Sequence, residues 1–461
     1  MARLAPLALL VAAFFTACGT AAPPGPAAPS GSVRGEAPKM KDIAESYVKL
    51  VLALGRHDAD YVDSYYGPPD WKAEAERAGR PLAEIQSQAE ELLARLARIP
   101  EPPQELPRLN HRYLVKQISA LRARSQMLAG KKFSFDEESR ALYDAVAPTN
   151  TEAHFRELSE KLGRILPGSG SLGERYEAFR HEFVIPREKL DAVFQAAIFE
   201  GRARTRAHIP LPDGESFRVE YVTGKSWSGY NWYQGHFTSL IQVNTDLPIF
   251  IDRAVDLACH EGYPGHHVYN VLLEKNQVRD RGAIEFTVYP LFSPQSLIAE
   301  GSANFGIEVA FPGAERTVFE RDVLFPLAGL EASRAGKYAE VRVLADGLSY
   351  AGNEAARRYL NGEIDAKAAA DWLERYALMA RPRAEQRVRF IDQYRSYVIN
   401  YNLGKDLVRR FIESRGGTAK NPGKRWEEFA RLLSSPRLPS DLAVPPPGEA
   451  SIPDSSGLTP K

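Results

Sequence analysis

The sequence predicts a mainly α-helical protein with a small antiparallel β-sheet. Apolar residues recur every three or four positions in segments such as 43–54, 82–99 and 111–128, which is the period of amphipathic helices. The period changes between Ser216 and Thr245, where aromatic and β-branched residues predominate and predict two to four short strands. At 461 residues the chain is long enough for two or three domains, or for one large helical unit.

The charge balance argues against two classes of partner. Lys and Arg total 59, as do Asp and Glu, so the formal net charge is zero. A neutral chain gives no reason to expect a nucleic-acid partner or electrostatic binding to an anionic membrane surface. With 44% hydrophobic and 26% charged residues, the composition is that of a globular protein with a sizeable core. It gives no indication of the oligomeric state.

The N-terminus has the pattern of an exported, lipid-anchored protein. Arg3 is followed by the apolar stretch 4–15, which is too short to span a bilayer. The sequence T-A-C at 16–18 then resembles a lipoprotein cleavage site. Residues 1–17 are therefore predicted to be a lipoprotein signal peptide, and Cys18 is predicted to carry a lipid anchor to the membrane. The alternative, a buried N-terminal helix, would lack polar periodicity.

Composition divides the rest of the chain. Residues 18–39 are rich in Pro and Ala and predict a tether, whereas residues 40–210 predict a helical scaffold. Residues 211–435 contain the motifs described below, and residues 436–461 predict a disordered Pro-rich tail. Because Gly19 offers no acidic inner-membrane retention signal, we expect a cell-envelope protein, anchored at the periplasmic face of the outer membrane or at the cell surface.

One stretch concentrates the residues that suggest chemistry. Positions 258–270 read A-C-H-E-G-Y-P-G-H-H-V-Y-N, which places His260, His266 and His267, three of the chain's nine histidines, close to Glu261. Neutral imidazoles are good Zn²⁺ ligands, and a carboxylate next to the first of them can accept a proton from water that the metal activates. The stretch therefore predicts a metal site.

The spacing within this motif requires a distorted helix. In the common H-E-x-x-H arrangement the two histidines are four residues apart, but position 264 is proline here. In a regular helix, residues six apart differ by about 240° and by about 9 Å of rise, too far to share one ion. Pro264 and Gly265 favour a kink or a π-type bulge, which would return His266 to the face of His260. His267 remains the alternative ligand, and a kinked helix without metal remains the alternative structure.

The motif H-E-G-Y-P-G-H-H resembles the signature of a bacterial domain-of-unknown-function family, described as lipoproteins and similar to HExxH-type zinc metallopeptidases. The family's second block, E-G-W-A-L-Y, is similar to E-G-S-A-N-F at Glu300–Phe305, and its late Y-x-x-G block to Tyr401–Gly404. The resemblance covers roughly residues 230–410. Ser302 and Phe305 replace the family's Trp and Tyr, a difference that concerns the lining of the substrate pocket more than the metal chemistry.

The resemblance implies a zinc-peptidase-like catalytic region at 211–435, beside the helix that binds the metal. Zn²⁺ would be held by His260, His266 and a third ligand, Glu300. Glu261 would be the general base, and Tyr401 would stabilise the oxyanion. The implied activity is carboxypeptidase-like, with a short peptide as the substrate. Two alternatives stay open: a metal-dependent amidase acting on cell-wall or other non-protein amides, and a non-catalytic envelope lipoprotein whose structural metal has four protein ligands, His267 included.

Four further positions carry expectations. Asp256 lies one turn before His260 and is a candidate to orient its imidazole. Residues Ser239–Asn244 are a candidate strand edge for binding a substrate backbone, or else a plain structural ribbon. Cys259 is expected to be a small buried hydrophobe. The aromatic segment 61–71 is expected to serve packing rather than substrate binding.

Two expectations concern the C-terminal half. Gly301 and Ala303 would let the helix of Glu300 approach another backbone closely. A substrate carboxylate would have three candidate partners, among which the sequence alone does not select: Arg387, Arg389 and Arg395.

Overall fold

Helices occupy most of the chain between residues 39 and 443, the part that this computed structural model describes. The predicted mainly helical class with a small antiparallel sheet is confirmed. The predicted signal peptide, Cys18 and the tether up to residue 38 lie outside the described residues. Within them, no helix combines the length and the apolar character that crossing a membrane requires.

The first half is helical apart from one short strand, as the apolar periodicity predicts. Its helices are α1 (Met40–Leu54), α2 (Pro69–Ala78), α3 (Leu82–Leu96), α4 (Glu105–Leu128), α5 (Phe135–Tyr143), α6 (Glu152–Ile165), α7 (Leu172–His181) and α8 (Leu190–Arg206).

The second half contains shorter helices that surround one long, buried helix, α11. The helices are α9 (Asp252–Leu257), α10 (His266–Leu273), α11 (Pro294–Ala310), α12 (Ala314–Phe319), α13 (Phe325–Ala328), α14 (Ala335–Asp346), α15 (Ala351–Leu360), α16 (Ala366–Tyr376), α17 (Arg381–Tyr394), α18 (Ile399–Ser414), α19 (Pro422–Leu433) and α20 (Pro439–Leu442).

Between residues 39 and 443, five strands form two small sheets. They are β1 (Val62–Tyr65), β2 (Ser216–Val222), β3 (Gly229–Gly235), β4 (Thr238–Asn244) and β5 (Val288–Pro290). β1 pairs with β5 in antiparallel orientation, so a segment from near the start of the described chain lies beside the residues that lead into α11.

The three-stranded sheet differs from the prediction in two respects. Its order is β2-β4-β3, and β2 runs parallel to β4, whereas only β3 and β4 form the expected antiparallel pair. The proposed substrate-binding edge at Ser239–Asn244 is therefore wrong, because this segment lies in the central strand. The reason is topological: β3 and β4 form a hairpin, and β2 pairs with the side of β4 that the hairpin leaves open. β3 is an edge strand instead.

α11 is the centre of the second half because nearly all of its residues are buried. A helix that is apolar on all sides is typical of the interior of a large protein. It crosses α18 at a pair of glycines, where a Cβ added to Gly301 would lie 2.4 Å from the carbonyl carbon of Gly404. A Cβ on Gly404 would lie 2.7 Å from the carbonyl oxygen of Leu297. The predicted close approach at Gly301 is confirmed.

The predicted start of the disordered tail, residue 436, is wrong. Residues 436–443 are ordered and include α20, because Leu438 and Leu442 are completely buried and anchor this segment in the core. The remainder of the predicted tail, residues 444–461, lies outside the described residues.

The crossing of α11 and α18 gives a first prediction. Gly404→Ala places a methyl group against backbone atoms that cannot rotate away, so we expect a loss of about 3 kcal/mol in the free energy of unfolding, measured by urea denaturation. The matched control is Gly336→Ala in α14, where an added Cβ meets nothing within 4 Å. This control should be neutral or slightly stabilising. Equal effects of the two substitutions would contradict the close crossing.

Candidate metal site

The motif helix is distorted where the sequence predicts distortion. α9 continues into a π-helical turn at Ala258–Gly262. The helix is then interrupted at residues 263–265, and α10 begins at His266. The Tyr263–Pro264 peptide bond is cis. Gly265 lies directly against the preceding turn, since an added Cβ would fall 2.0 Å from the carbonyl oxygen of His260. The predicted kink or π-type bulge is confirmed.

The distortion brings three side chains of the motif and α11 together. The Nε2 atoms of His260 and His266 are 3.1 Å apart. Oε2 of Glu300 lies 3.2 Å from Nε2 of His260 and 3.7 Å from Nε2 of His266. The three side chains are only 8–13% exposed. Two imidazoles and one carboxylate converging on a common point form a group that could hold a metal ion.

A neighbouring amide fixes the tautomer of His260. Asn304 donates from Nδ2 to the backbone oxygen of Tyr401 at 3.0 Å, so its Oδ1 faces Nδ1 of His260 at 3.1 Å. Nδ1 of His260 must then carry the proton and donate. The lone pair of the neutral imidazole is therefore on Nε2, the atom that faces His266 and Glu300.

Glu300 is held in place by a tyrosine. Tyr397 donates its hydroxyl to Oε1 of Glu300 at 2.7 Å, which leaves Oε2 buried and without a hydrogen-bond donor. Burial alone would raise the pKa of Glu300, but His266 and His260 lower it overall to well below its ordinary value. An ionised carboxylate oxygen without a donor, beside two imidazole nitrogens, fits a divalent cation that prefers nitrogen and oxygen ligands, such as Zn²⁺.

Glu261 lies next to this group without belonging to it. The residue is 4% exposed, and a Cβ added to Gly229 in the edge strand β3 would lie 2.8 Å from its Oε1. Among residues 39–443, no hydrogen bond or ion pair reaches its carboxylate. Burial raises the pKa of Glu261 to about 7, against the lowering effect of His266. The carboxyl group is thus free to exchange protons near neutral pH.

His267 lies away from the metal-ligand group. Its side chain is fully buried, with Nδ1 2.9 Å from Oγ of Ser239 and Nε2 3.1 Å from Oε2 of Glu215. Tyr263 donates to the same carboxylate oxygen at 2.6 Å, and Arg202 donates to Oε1. The second histidine beside His260 is therefore His266. His267 belongs instead to a buried polar network that joins α10 to the three-stranded sheet.

One predicted helper residue, Asp256, is engaged elsewhere. Asp256 does not contact His260 but forms ion pairs with Arg253 at 3.2 Å and Arg316 at 2.8 Å. The predicted orienting role of Asp256 is therefore wrong, because two guanidinium groups compete successfully for its carboxylate, and Asn304 occupies the position next to His260.

The residues that depart from the family pattern do not line the cleft at the metal-ligand group. Ser302 is buried and donates to the backbone oxygen of Ala299, and Phe305 packs against Phe429 in the core. Neither contributes to the cleft wall. Cys259 is completely buried, as expected for a small hydrophobe.

The metal-ligand group opens into a cleft of about 1140 Å³. Its wall includes Tyr401, whose hydroxyl is the predicted oxyanion donor, and Arg387, one of the three arginines considered for a substrate carboxylate. Arg395 instead donates to the buried carboxylate of Glu138, and Arg389 is exposed and does not line the cleft.

The sequence analysis missed an acidic residue of the cleft. Asp63 of β1 lines it and accepts a hydrogen bond from the Tyr230 hydroxyl of β3. Burial raises the pKa of Asp63 to about 6, while Tyr230 and His266 lower it. The only sequence signal was the aromatic segment 61–71, where Tyr61 is indeed packed in the core while Asp63 is not. Asp63 lies in the cleft because β1 pairs with β5, and no local sequence pattern predicts this pairing.

No family model matches this sequence, and no curated protein matches it. Among solved structures, the chain is similar to the "putative lipoprotein" of Colwellia psychrerythraea, at 14% identity and a TM-score of 0.47, over 88% of this chain and 75% of that one. It is also similar to a "putative lipoprotein of unknown function" of Shewanella oneidensis, at 13% identity and a TM-score of 0.43, over 81% and 74%. Likeness at this level assigns neither a family nor an activity.

The His267 network gives a prediction for acid stability. Burial opposes ionisation of Glu215, but His267, Tyr263 and Arg202 together lower its pKa from 4.5 to about 2. A lowered pKa stabilises the fold above pH 4.5, and this stabilisation is lost as the pH falls towards 2.

Glu215→Gln should therefore lower the free energy of unfolding by about 2 kcal/mol at pH 7, and the difference from wild type should shrink between about pH 4.5 and pH 2. Urea unfolding of the metal-free proteins across this range measures it. Glu188→Gln, at an exposed site, is the control and should differ from wild type by less than about 0.5 kcal/mol throughout. A difference for Glu215→Gln that stays constant down to pH 2 would contradict an ionised carboxylate in this network.

Proposed function

We propose that this chain binds one Zn²⁺ through His260, His266 and Glu300 and hydrolyses peptide bonds in short peptides. The observation that supports the proposal most directly is the convergence of three ligand atoms within 3.1–3.7 Å, with the unpartnered carboxylate of Glu261 beside them. Three protein ligands and an open cleft are typical of catalytic rather than structural zinc sites.

When bound, zinc supplies Lewis-acid chemistry, which polarises the amide carbonyl and makes water a better nucleophile. Glu261 takes the proton from the attacking water and delivers it to the leaving amine. This double role suits a buried carboxylate without a hydrogen-bond or ion-pair partner among residues 39–443, and in the metal-free protein burial raises its pKa to about 7.

Two tyrosines have separate roles in this proposal. Tyr397 orients Glu300 through its 2.7 Å hydrogen bond and so positions a ligand. Tyr401 lines the cleft, and burial raises its pKa well above the ordinary value, so its hydroxyl stays protonated and can donate to a developing oxyanion.

The edge strand β3 is the proposed support for the substrate backbone. Residues 226–231, which include its first part, line the cleft beside Glu261. An extended peptide can add to such an edge through main-chain hydrogen bonds, which hold it regardless of its side chains.

A non-catalytic envelope lipoprotein remains the second candidate, and the descriptions of the two solved structures are compatible with it. That alternative expected His267 as a fourth ligand, whereas His267 is bonded to Glu215 and Ser239. A metal-dependent amidase would use the same residues as the peptidase, and substrate profiling separates the two. The motif at 16–18 supports anchoring in the cell envelope through a lipid on Cys18.

The proposal is tested by metal content and by hydrolysis of a mixed peptide library. Wild-type protein from residue 40 onward should contain one zinc ion per chain by elemental analysis and cleave library members. Glu261→Gln should keep the zinc and lose at least roughly 100-fold in activity, because the proton acceptor is gone.

The matched control is Glu285→Gln. Glu285 is another buried glutamate whose pKa burial raises to about 7, and it does not line the cleft. Both zinc content and activity should be retained. If zinc reconstitution leaves the wild type without metal, the proposed site is wrong. If zinc binds and neither peptides nor cell-wall amides are cleaved, the non-catalytic alternative is correct.

Substitutions of Tyr397 and Tyr401 should affect zinc affinity and kcat differently. Tyr401→Phe removes a donor to the oxyanion, so kcat should fall by roughly 100-fold at unchanged zinc affinity. Tyr397→Phe removes the group that orients a ligand, so zinc affinity should fall by roughly 10- to 100-fold. Competition with a chelator and steady-state kinetics at saturating zinc measure these effects. Loss of zinc affinity in Tyr401→Phe would show that the two assignments are exchanged.

A further inference from the structure

Two arginines in the cleft have no acidic partner. Arg383 and Arg387 lie one turn apart on α17, and both line the cleft. Within residues 39–443, neither forms an ion pair with a carboxylate. Arg387 is half-buried, whereas Arg383 is exposed at the rim of the cleft. An unpaired guanidinium group away from bulk water costs free energy, and this cost falls on Arg387.

Three other cations of the same cleft are neutralised, whereas Arg342 of α14, like the two arginines of α17, forms no ion pair within residues 39–443. Arg253 forms an ion pair with Asp256, and Lys405 and Arg409 share Glu308 at 2.7 Å and 2.6 Å. The carboxylate of Glu308 is therefore occupied by this pairing. The absence of a partner is thus specific to part of the cleft rather than general to it.

Arg387 lies close to the proposed reaction centre. It is half-buried, with its guanidinium carbon 4.6 Å from the ring centre of Phe390 and 5.8 Å from that of Tyr401. Burial lowers its pKa, while Tyr401 and Glu300 act in the opposite direction. The ring of Tyr401 is in turn 5.8 Å from that of Tyr397, which bonds to Glu300. Two aromatic side chains, Tyr401 and Tyr397, therefore lie between Arg387 and the candidate ligand Glu300.

Arg383 is held by neutral groups only. It donates from Nη1 to Oε1 of Gln386 at 2.7 Å and from Nη2 to Oγ of Ser228 at 2.9 Å. Ser228 directly precedes Gly229, which abuts Glu261. Arg383 therefore ties α17 to the start of the edge strand, and its positive charge faces the cleft without compensation.

We propose that Arg387, supported by the charge of Arg383, binds a carboxylate of the substrate and so directs hydrolysis to peptides that carry one near the scissile bond. This inference rests on the proposed hydrolase function. A guanidinium group presents two parallel N–H donors that match a carboxylate, and the aromatic rings beside Arg387 hold its plane in place.

Two sources could supply the carboxylate, namely the free C-terminus of a peptide or the side chain of an acidic residue. The matching probes are an N-acylated peptide as its free acid, the same peptide as its C-terminal amide, and that amide with glutamate in place of the last residue. The wild type should hydrolyse a carboxylate-bearing form roughly 100-fold faster, in kcat/KM, than the plain amide. Product masses locate the cleaved bond.

Substitutions of Arg387 test whether its positive charge causes this preference. Arg387→Gln should lose this preference mainly through a higher KM for the carboxylate-bearing forms, and Arg387→Lys should retain part of the preference. The matched control is Arg389→Gln, which removes an exposed guanidinium group of the same helix outside the cleft and should keep the full preference. Zinc content and circular dichroism verify that each variant is folded.

A binding measurement separates this inference from the hydrolase proposal. Zinc-loaded Glu261→Gln protein should bind the preferred acid roughly 100-fold more tightly than the amide by calorimetry, and adding Arg387→Gln should abolish the difference. Cleavage and binding of acid and amide at equal rates and affinities would refute the carboxylate site and leave the hydrolase intact. Selective binding without cleavage by the wild type would refute the hydrolase and leave the carboxylate site intact. Binding of neither form would refute both.

Discussion

The contact between Gly301 and Gly404 is the constraint on which the candidate site depends. It lets α11 and α18 cross with their backbones touching, and each helix presents its functional residues immediately beside the crossing. Glu300 precedes one glycine, and Tyr401 lies one turn before the other. A metal site tolerates errors of only about 0.5 Å in ligand position, so a side chain that separated these helices would also separate the ligand from its partners.

The same crossing explains how the shell around the ligands is assembled. Asn304, one turn after Glu300, reaches the backbone oxygen of Tyr401 and by doing so presents its own oxygen to His260. Tyr397 reaches Glu300 from the short 3-10 turn that leads directly into α18. Each contact needs the helices at one separation, so two small residues set the orientation of both a histidine and a carboxylate. Gly404, the last residue of the Y-x-x-G stretch, is one of these two small residues.

Local chemistry was predictable from the sequence, whereas long-range pairing was not. The disruption of the motif helix follows from Pro264 and Gly265, and the close approach at Gly301 follows from the missing side chain. The central position of Ser239–Asn244 and the occupation of Asp256 by arginines both depend on which segments meet in space. Spacing within one helix contains no information on such partners.

The two adjacent histidines of the motif illustrate this limit at a single position. The side chains of successive helical residues point about 100° apart, so those of His266 and His267 must face different surroundings. The interruption of the helix favoured His266 as the histidine that lies beside His260. The partner of His267 could not be predicted in this way. Glu215 lies 52 positions before His267.

The pairing of β1 with β5 has a consequence for when the candidate site forms during folding. Asp63 reaches the cleft from near the beginning of the described chain, and Gln393 of α17 donates to Asp60, 333 residues earlier. A centre assembled from such distant segments has a high contact order and forms late in folding. An incomplete or unfolded chain therefore has no assembled centre, and a peptidase built in this way would remain inert until synthesis and folding are finished.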